Sequence, residues 1–557
     1  MTAHGGDRRA PARSGMRGAG AVLDTLANGG VQVCFANPGT SEMHLVAEMT
    51  ARPSMRNVLC LFEGVATGAA DGYGRMAERP ASALLHLGPG LGNGLANLHN
   101  ARRASTATVA LVGDHATYLK DSDPPLNTDI ELLAAPVSAW VRRTTRAAEA
   151  GRDTAEALLA ARAGAAAGTG GVATLILPSD VCWSEGGRPA EVPATAPAQA
   201  DADAVERAAK ILRDSTGCLL FIGGANLRPA GLRAAARIAR ATGARLLAEK
   251  SPARHRREPD LPDIARLPYP LEEALARLDG YRHIVFAGAH PPVPFFGYPG
   301  RPSRLFAAGC ELHLLGMAPA ALQDLADLVA PVGTGASRHV SDRPGPPSAT
   351  GPGRRSLDRP GLPTGELTVA KAAAVIGALL PEEAVVVDEA ISCGPDLVAA
   401  TAGAPAHDWL CLSGGSIGMG MPAAVGAAVA CPDRPVLTLQ ADGSAMYTPQ
   451  ALWTQAREGL NVVTVILNNA SYAILADELA RVEGVPAADL GRTRGISDIS
   501  GLDFVALAAG MGVSATRARS ADDLADQMRR ALAEPGPWLI EAVLPAPHRG
   551  RAPAGGV

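Results

Sequence analysis

The chain has 557 residues, with 47% hydrophobic and 19% charged side chains and a formal net charge of −4. At roughly 150 residues per domain this is three or four domains of ordinary globular composition. A near-neutral balance gives no general attraction for nucleic acid or an anionic membrane surface, so neither partner is expected.

Aromatic residues are only 4%, so the cores must be built mainly from Ala, Val, Leu and Ile. The polar N-terminus holds Arg8, Arg9 and Arg13 and lacks the apolar centre of a signal peptide, so residues 1–15 read as a disordered tail. No run of about 18 apolar residues is free of charge and helix breakers, so no membrane span is expected. The eight cysteines (34, 60, 182, 218, 310, 393, 411 and 431) form no CxxC pair. No zinc site is therefore expected, several cysteines read as small buried hydrophobes, and a reduced, cytoplasmic setting fits.

Two stretches rich in Pro, Gly, Ala and Ser, 186–202 and 333–365, read as linkers. They leave blocks at 16–185, 203–332 and 366–546, with a tail at 547–557. Each block alternates short β-rich runs with longer Ala/Leu-rich helical runs. In the first block, 31–35, 58–62, 82–87, 108–112 and 174–177 read as strands. In the second, 218–222 and 283–287 do. In the third, 384–387, 436–440, 462–467 and 538–543 do. Continuous apolar strands alternating with helices predict an α/β protein of three domains, its parallel sheets flanked by helices. Ligands bind such sheets beyond the carboxyl ends of the strands, and those ends are where candidate residues are sought.

In the third block the strand ending near Gln440 runs into Asp442-Gly443-Ser444, read as a turn. Thr448 suits an N-cap and Pro449 a first helical position, and Gly459 ends the helix. A second strand ends at Asn468-Asn469-Ala470-Ser471. In a β-α-β unit with neighbouring parallel strands, Asp442 and Asn469 meet despite lying 27 positions apart. A carboxylate and an amide oxygen suit Mg²⁺ whose other positions are filled by phosphate oxygens. Gly443 and Ser444 let the backbone approach a phosphate and offer it N–H groups. Asp-Gly-Ser alone is usually a turn and Asn-Asn alone a strand end; the pair in this frame is far more specific.

This segment, Ala441-Asp442-Gly443-Ser444 followed by Asn468-Asn469, resembles the diphosphate motif of the thiamine-diphosphate-dependent decarboxylase and acetolactate synthase superfamily, with Ala441 replacing the motif's first Gly. The resemblance implies that Asp442, Asn469 and the carbonyl of Ser471 are metal ligands. It implies further that the Gly415 carbonyl meets the cofactor's 4′-amino group, that Ile417 wedges the cofactor into its bent shape, and that Ser392 adds a hydroxyl to the diphosphate. In the first block, Phe62-Glu63-Gly-Val-Ala-Thr-Gly-Ala-Ala-Asp-Gly-Tyr-Gly-Arg75 resembles the family's pyrimidine-binding motif. An acidic residue opening a helix is usually only a dipole partner. By resemblance Glu63 shares a proton with the cofactor's N1′, which prepares C2 for reaction, and a carboxyl in an apolar setting has the raised pKa this needs. The family's glutamate and diphosphate sites come from different subunits, so a homodimer is the minimum unit and a homotetramer is expected.

Three further residues follow first-block strands. Thr40 and His86 fall where the benzoylformate decarboxylases have an active-site serine and histidine, and His115 is a third candidate. The glycines after His86 do not fit G-x-G-x-x-G, because Asn93 stands at its sixth position. The middle block resembles the superfamily's central domain and has no strong flavin motif, so FAD is not expected. Phe295 stands where the benzoylformate decarboxylases have a second histidine, and His290 is not equivalent to it.

The implied cofactors are thus thiamine diphosphate and Mg²⁺, and the implied substrate is a small 2-oxo acid. Its decarboxylation gives an enamine. That enamine is either ligated to a second carbonyl, as in acetolactate synthases, or protonated to an aldehyde, as in a simple decarboxylase. A catalytically silent cofactor-binding protein, an oxidase and an acyl-CoA lyase are the rival readings.

Overall fold

A computed structural model describes residues 15–196, 198–331, 359–483 and 494–546. The tails at 1–14 and 547–557, and most of the second expected linker, lie outside the described residues.

The protein is α/β with three sheets flanked by helices. The first has six parallel strands, β1 (Val33–Asn37), β2 (Arg56–Leu59), β3 (Ala81–Leu85), β4 (Thr108–Asp114), β5 (Trp140–Arg143) and β6 (Val172–Pro178), in the order β2-β1-β3-β4-β6-β5. The second takes β7 (Cys218–Ile222) and β8 (Arg245–Ala248). After β9 (His255–Arg257) come β10 (His283–Ala287) and β11 (Glu311–Leu314), and the four strands run in the order β11-β10-β7-β8. The third contains β12 (Ala384–Glu389), β13 (His407–Cys411), β14 (Val436–Ala441), β15 (Val462–Asn468), β16 (Ser514–Ala518) and β17 (Trp538–Val543). Its order is β16-β17-β15-β14-β12-β13-β9. In the first sheet the order reverses between β1 and β3, and in the third between β12 and β14. Those are the crevices where open α/β sheets bind ligands.

β9 departs from the expected division into blocks. It comes from the middle block yet pairs antiparallel with β13 in the third sheet, Trp409 opposite His255. Charge explains the pairing. Asp408 is fully buried and accepts from Arg254 Nε at 2.6 Å and Arg434 Nη2 at 2.7 Å. Burial alone would raise its carboxyl, but the hydrogen bonds and charges of Arg254 and Arg434 outweigh this and lower it.

The remaining departures are local. The strand expected at 58–62 ends at Leu59, and Phe62 is the N-cap of the Glu63–Ala77 helix. Asp442–Ala445 is one helical turn rather than an open turn. The next helix begins at Ala451, two residues after Pro449, and Gly459 ends it at φ +60°. Among its described residues the 186–202 stretch carries no strand. It is tied to the first block by the Gly186 and Gly187 N–H groups on Met16 and by Ala190 N–H on Thr25 Oγ1, and Asp201 caps a helix that starts at Ala202.

One core joins the first and third sheets. Its centre is the crossing of the Glu63–Ala77 helix with the Gly420–Ala430 helix. A Cβ at Gly72 would lie 2.1 Å from the Ala423 carbonyl oxygen, and one at Gly426 1.9 Å from that of Ala69. Only glycine permits so close an approach. Six of the eight cysteines are buried and all eight are free thiols. Among the described residues no helix is long and apolar enough to cross a membrane.

A candidate cofactor site at the strand ends

β14 and β15 are parallel neighbours, with Ala441 opposite Leu467, and their carboxyl ends deliver Asp442 and Asn469 to one another. Asp442 Oδ2 accepts from Asn469 N–H at 3.0 Å, and Oδ1 from Gly443 N–H at 2.8 Å. The Asn469 side-chain oxygen accepts from Ser471 N–H at 2.9 Å. Burial raises the Asp442 carboxyl, and only backbone N–H groups pull against it. Asp442, Gly443, Ser444, Asn469, Ser471, Ser392 and Ile417 line a single cavity together with Tyr472. It sits at the carboxyl ends of β12, β14 and β15, at the third sheet's switch point.

The loop 413–418 forms one wall. Gly415 has φ +78°, and the carbonyls on either side of it are engaged: Gly414 accepts from His99 Nε2 at 3.1 Å and Ser416 from Asn100 Nδ2 at 2.8 Å. Asn97 Nδ2 reaches both the Gly64 and the Gly418 carbonyls. The first block thereby positions the loop that carries Gly415 and Ile417.

Phe295, of the middle block, comes up against Gly415, where a Cβ would lie 2.8 Å from its Cζ. Its ring packs on Tyr269 and Phe296, and Lys250 Nζ stands 4.0 Å from its centroid. Burial draws the Lys250 ammonium down to about 8. His290 instead turns away, to the Gly168 carbonyl.

In the first block Glu63 is the first residue of its helix and is buried. Its Oε2 accepts from Asn93 Nδ2 at 3.0 Å. Gly90 separates it from His86: a Cβ there would be 2.7 Å from Glu63 Oε1 and 3.3 Å from His86 Cβ. His86 Nδ1 is 2.8 Å from Glu42 Oε2 and 3.3 Å from Ser41 Oγ. A carboxylate only accepts, so Nδ1 carries the proton and Nε2 is the nitrogen left for a ligand. Thr40 is exposed, and the partners on His86 come from the next two residues, Ser41 and Glu42. His115 follows β4, and its buried Nε2 has no hydrogen-bond partner. No first-block residue lines the Asp442 cavity.

Two carboxylates at these strand ends escape a reading by motif. Glu42 is fully buried over Gly113 at the end of β4. Glu389, the last residue of β12, is buried and accepts from the N–H groups of Gly418 (2.6 Å), Met419 (3.1 Å) and Gly420 (2.7 Å) and from Gln440 Nε2 (2.8 Å). Burial pushes Glu389 up to about 7 against these bonds. Each is a lone acidic residue without a spaced partner. The only sequence signal is position, Glu389 at a strand end and Glu42 just after the Asn37-Pro38-Gly39 turn.

Known proteins share this arrangement. Residues 16–131 match the thiamine pyrophosphate enzyme N-terminal TPP binding domain, and residues 399–542 the C-terminal TPP binding domain. A Mycobacterium tuberculosis protein bearing the name acetolactate synthase large subunit is 55% identical over 538 residues, covering 95% of this chain and 99% of its own. A benzoylformate decarboxylase of Pseudomonas aeruginosa is 29% identical, covering 94% of this chain and 97% of its own. The solved structure of a thiamine-diphosphate-dependent 4-hydroxybenzoylformate decarboxylase from Rhodococcus jostii superposes with a TM-score of 0.79 at 26% identity, covering 96% of this chain and all of that one. The chain belongs to the thiamine-diphosphate-dependent enzyme family that includes the acetolactate synthases and benzoylformate decarboxylases.

Proposed function

We propose that the chain binds thiamine diphosphate through a Mg²⁺ held by the Asp442 carboxylate, the Asn469 amide oxygen and the Ser471 carbonyl, and uses it to decarboxylate a small 2-oxo acid. The observation that carries this is Asp442. It is a desolvated carboxylate among backbone N–H groups, Asn469 N–H included, with the Asn469 side chain lining the same cavity and, among the described residues, no basic side chain among its hydrogen-bond or charge partners. A divalent cation supplies the missing charge, and this all-oxygen donor set suits a hard one.

Bound there, the cofactor supplies the carbon nucleophile and the electron sink. The chain's own residues do the rest. Gly443 and Ser444 bring backbone to the diphosphate, and Ser392 adds its hydroxyl from the other side of the cavity. Ile417 supports the bend between the cofactor's rings, and the Gly415 carbonyl orients its amino group. Glu63 is buried and bonded to the neutral Asn93 amide, and it holds a proton for the pyrimidine nitrogen. In the family the glutamate and the diphosphate site come from different subunits, and a cavity lined by no first-block residue is compatible with Glu63 arriving from a second copy. The working unit is then a homodimer at least, and a homotetramer by doubling.

Two outcomes follow decarboxylation. The 55% identical relative named as an acetolactate synthase favours ligation to a second carbonyl. The Glu42–His86 pair, one glycine away from Glu63, favours protonation to an aldehyde, because it leaves His86 Nε2 free to carry a proton. The deciding experiment incubates holoenzyme with a panel of 2-oxo acids, measures CO₂ and identifies products by mass spectrometry. A hydroxyketone or acetohydroxy acid selects carboligation, and an aldehyde alone selects simple decarboxylation. No CO₂ from any 2-oxo acid refutes both.

A further inference from the structure

The middle sheet carries a group of ligands unrelated to the cofactor cavity. His283 opens β10 and Glu311 opens β11, and the two are register partners. His313 stands two residues along β11 and so presents its side chain on the same face as Glu311. His283 Nδ1 lies 3.3 Å from His313 Nε2 and 3.6 Å from Glu311 Oε2, and His313 Nε2 lies 3.9 Å from the same oxygen. Among the described residues this is the one cluster of three or more His, Cys, Asp or Glu side chains with ligand atoms so close together.

A hydrogen-bond network explains the triangle poorly. If one imidazole donates to the other, the carboxylate oxygen is still too far from either nitrogen to bond it. A cation explains it directly. The point equidistant from the three atoms in their own plane lies about 2.1 Å from each, the metal–ligand distance of zinc bound by imidazole and carboxylate.

We propose that His283 Nδ1, His313 Nε2 and Glu311 Oε2 form a binding site for a borderline divalent transition-metal ion, such as Zn²⁺ or Co²⁺, with water completing the coordination. Two imidazoles favour this class over Mg²⁺, which takes oxygen ligands. No ligand here is a cysteine, so cysteine spacing gives no sign of this site. It lies at the amino ends of β10 and β11, the sheet edge opposite to the one used for ligands. β11 is an edge strand, so a bridging ion fastens it to β10.

The test uses chelator-treated full-length enzyme reloaded with thiamine diphosphate and excess Mg²⁺, so that the cofactor site is filled. Co²⁺ is titrated while its visible d–d absorption is followed, and Zn²⁺ binding is measured by calorimetry. Wild type should take up one equivalent per chain that Mg²⁺ does not displace. His313→Ala should lose that equivalent, and Glu311→Gln, at an exposed position that tolerates exchange, should bind at least tenfold more weakly. Zn²⁺ should raise the melting temperature of wild type and of neither variant. Equal stoichiometry and affinity in wild type and Glu311→Gln, or no uptake by wild type, would overturn the proposal.

Discussion

Glu389 offers a quantitative test of how the site is assembled. Its carboxyl is pushed to about 7 from an ordinary value near 4.5, because burial outweighs four hydrogen bonds. A folded-state value above the unfolded one means that the protonated group is the favoured guest. Its stabilising contribution is whole below pH 4.5 and is lost as pH rises through 7. The displacement is worth about 3 kcal/mol. Glu389→Gln fixes the side chain neutral, but its amide N–H₂ must face either backbone donors or Gln440, and an unsatisfied donor there costs about 1–3 kcal/mol. Wild type should therefore exceed the variant in stability by most near pH 4.5, and that advantage should shrink by about 3 kcal/mol by pH 8. Urea denaturation of both proteins across this range reads the difference directly, with other titrations cancelling. A difference independent of pH, or one that grows with pH, would show that the N–H groups of Gly418, Met419 and Gly420 win over burial, and would refute the reasoning.

Four other outcomes are expected. Glu63→Gln should abolish exchange of the cofactor's C2 proton, followed by NMR, while Mg²⁺-dependent cofactor binding stays within a few-fold of wild type; unchanged exchange removes Glu63 from the chemistry. Asp442→Ala should weaken cofactor binding by about 100-fold or more, since even outer-shell partners of a metal contribute about 10–100-fold, and titration calorimetry with and without Mg²⁺ checks it. Prolonged EDTA treatment of wild type should release the cofactor on desalting and Mg²⁺ should restore it; retention without Mg²⁺ would count against the metal bridge. Gly426→Ala forces a Cβ onto the Ala69 carbonyl and should cost at least about 1–3 kcal/mol as an overpacked core, seen as a lower melting temperature. A melting temperature equal to wild type would mean that the crossing is looser than its geometry.

What could be read from the chain and what could not divides along the sheets. Cys218–Ile222, His283–Ala287 and Trp538–Val543 are strands over the expected residues, because a parallel strand covered on both faces is apolar along most of its length. The unpredicted β5, β8, β9, β11 and β16 are all sheet edges, and the misplaced β2 is another. An edge strand has fewer neighbours to cover it, so Arg245, Glu311 and Ser514 stand there exposed and the apolar signal disappears. β13 was hidden differently. It is buried along its length, but His407-Asp408 reads as a loop until Arg254 and Arg434 arrive to neutralise Asp408. The site shows the same contrast. Asp442 and Asn469 are legible as a spaced pair, whereas Glu42, Glu389 and Lys250 acquire meaning only from residues distant in sequence.

Three of the non-glycine residues with positive φ fall at the ligand edges, although Glu78, Ser105, Asp123 and Glu383 show it elsewhere. Leu87 after β3, Ile391 after β12 and Ala470 after β15 all have positive φ, at +54°, +51° and +57°, though none is glycine. Each costs about 1–2 kcal/mol relative to an ordinary conformation. Strain of this kind persists only where the surroundings over-determine it, and it gathers at binding sites. These three fall at the two switch points, next to His86, beside Ser392 and between Asn469 and Ser471. Under the proposed reading these positions frame two half-sites, one around Glu63 and one around Asp442, whose cavity takes no first-block residue. In the proposed reading a second copy joins the two halves by association.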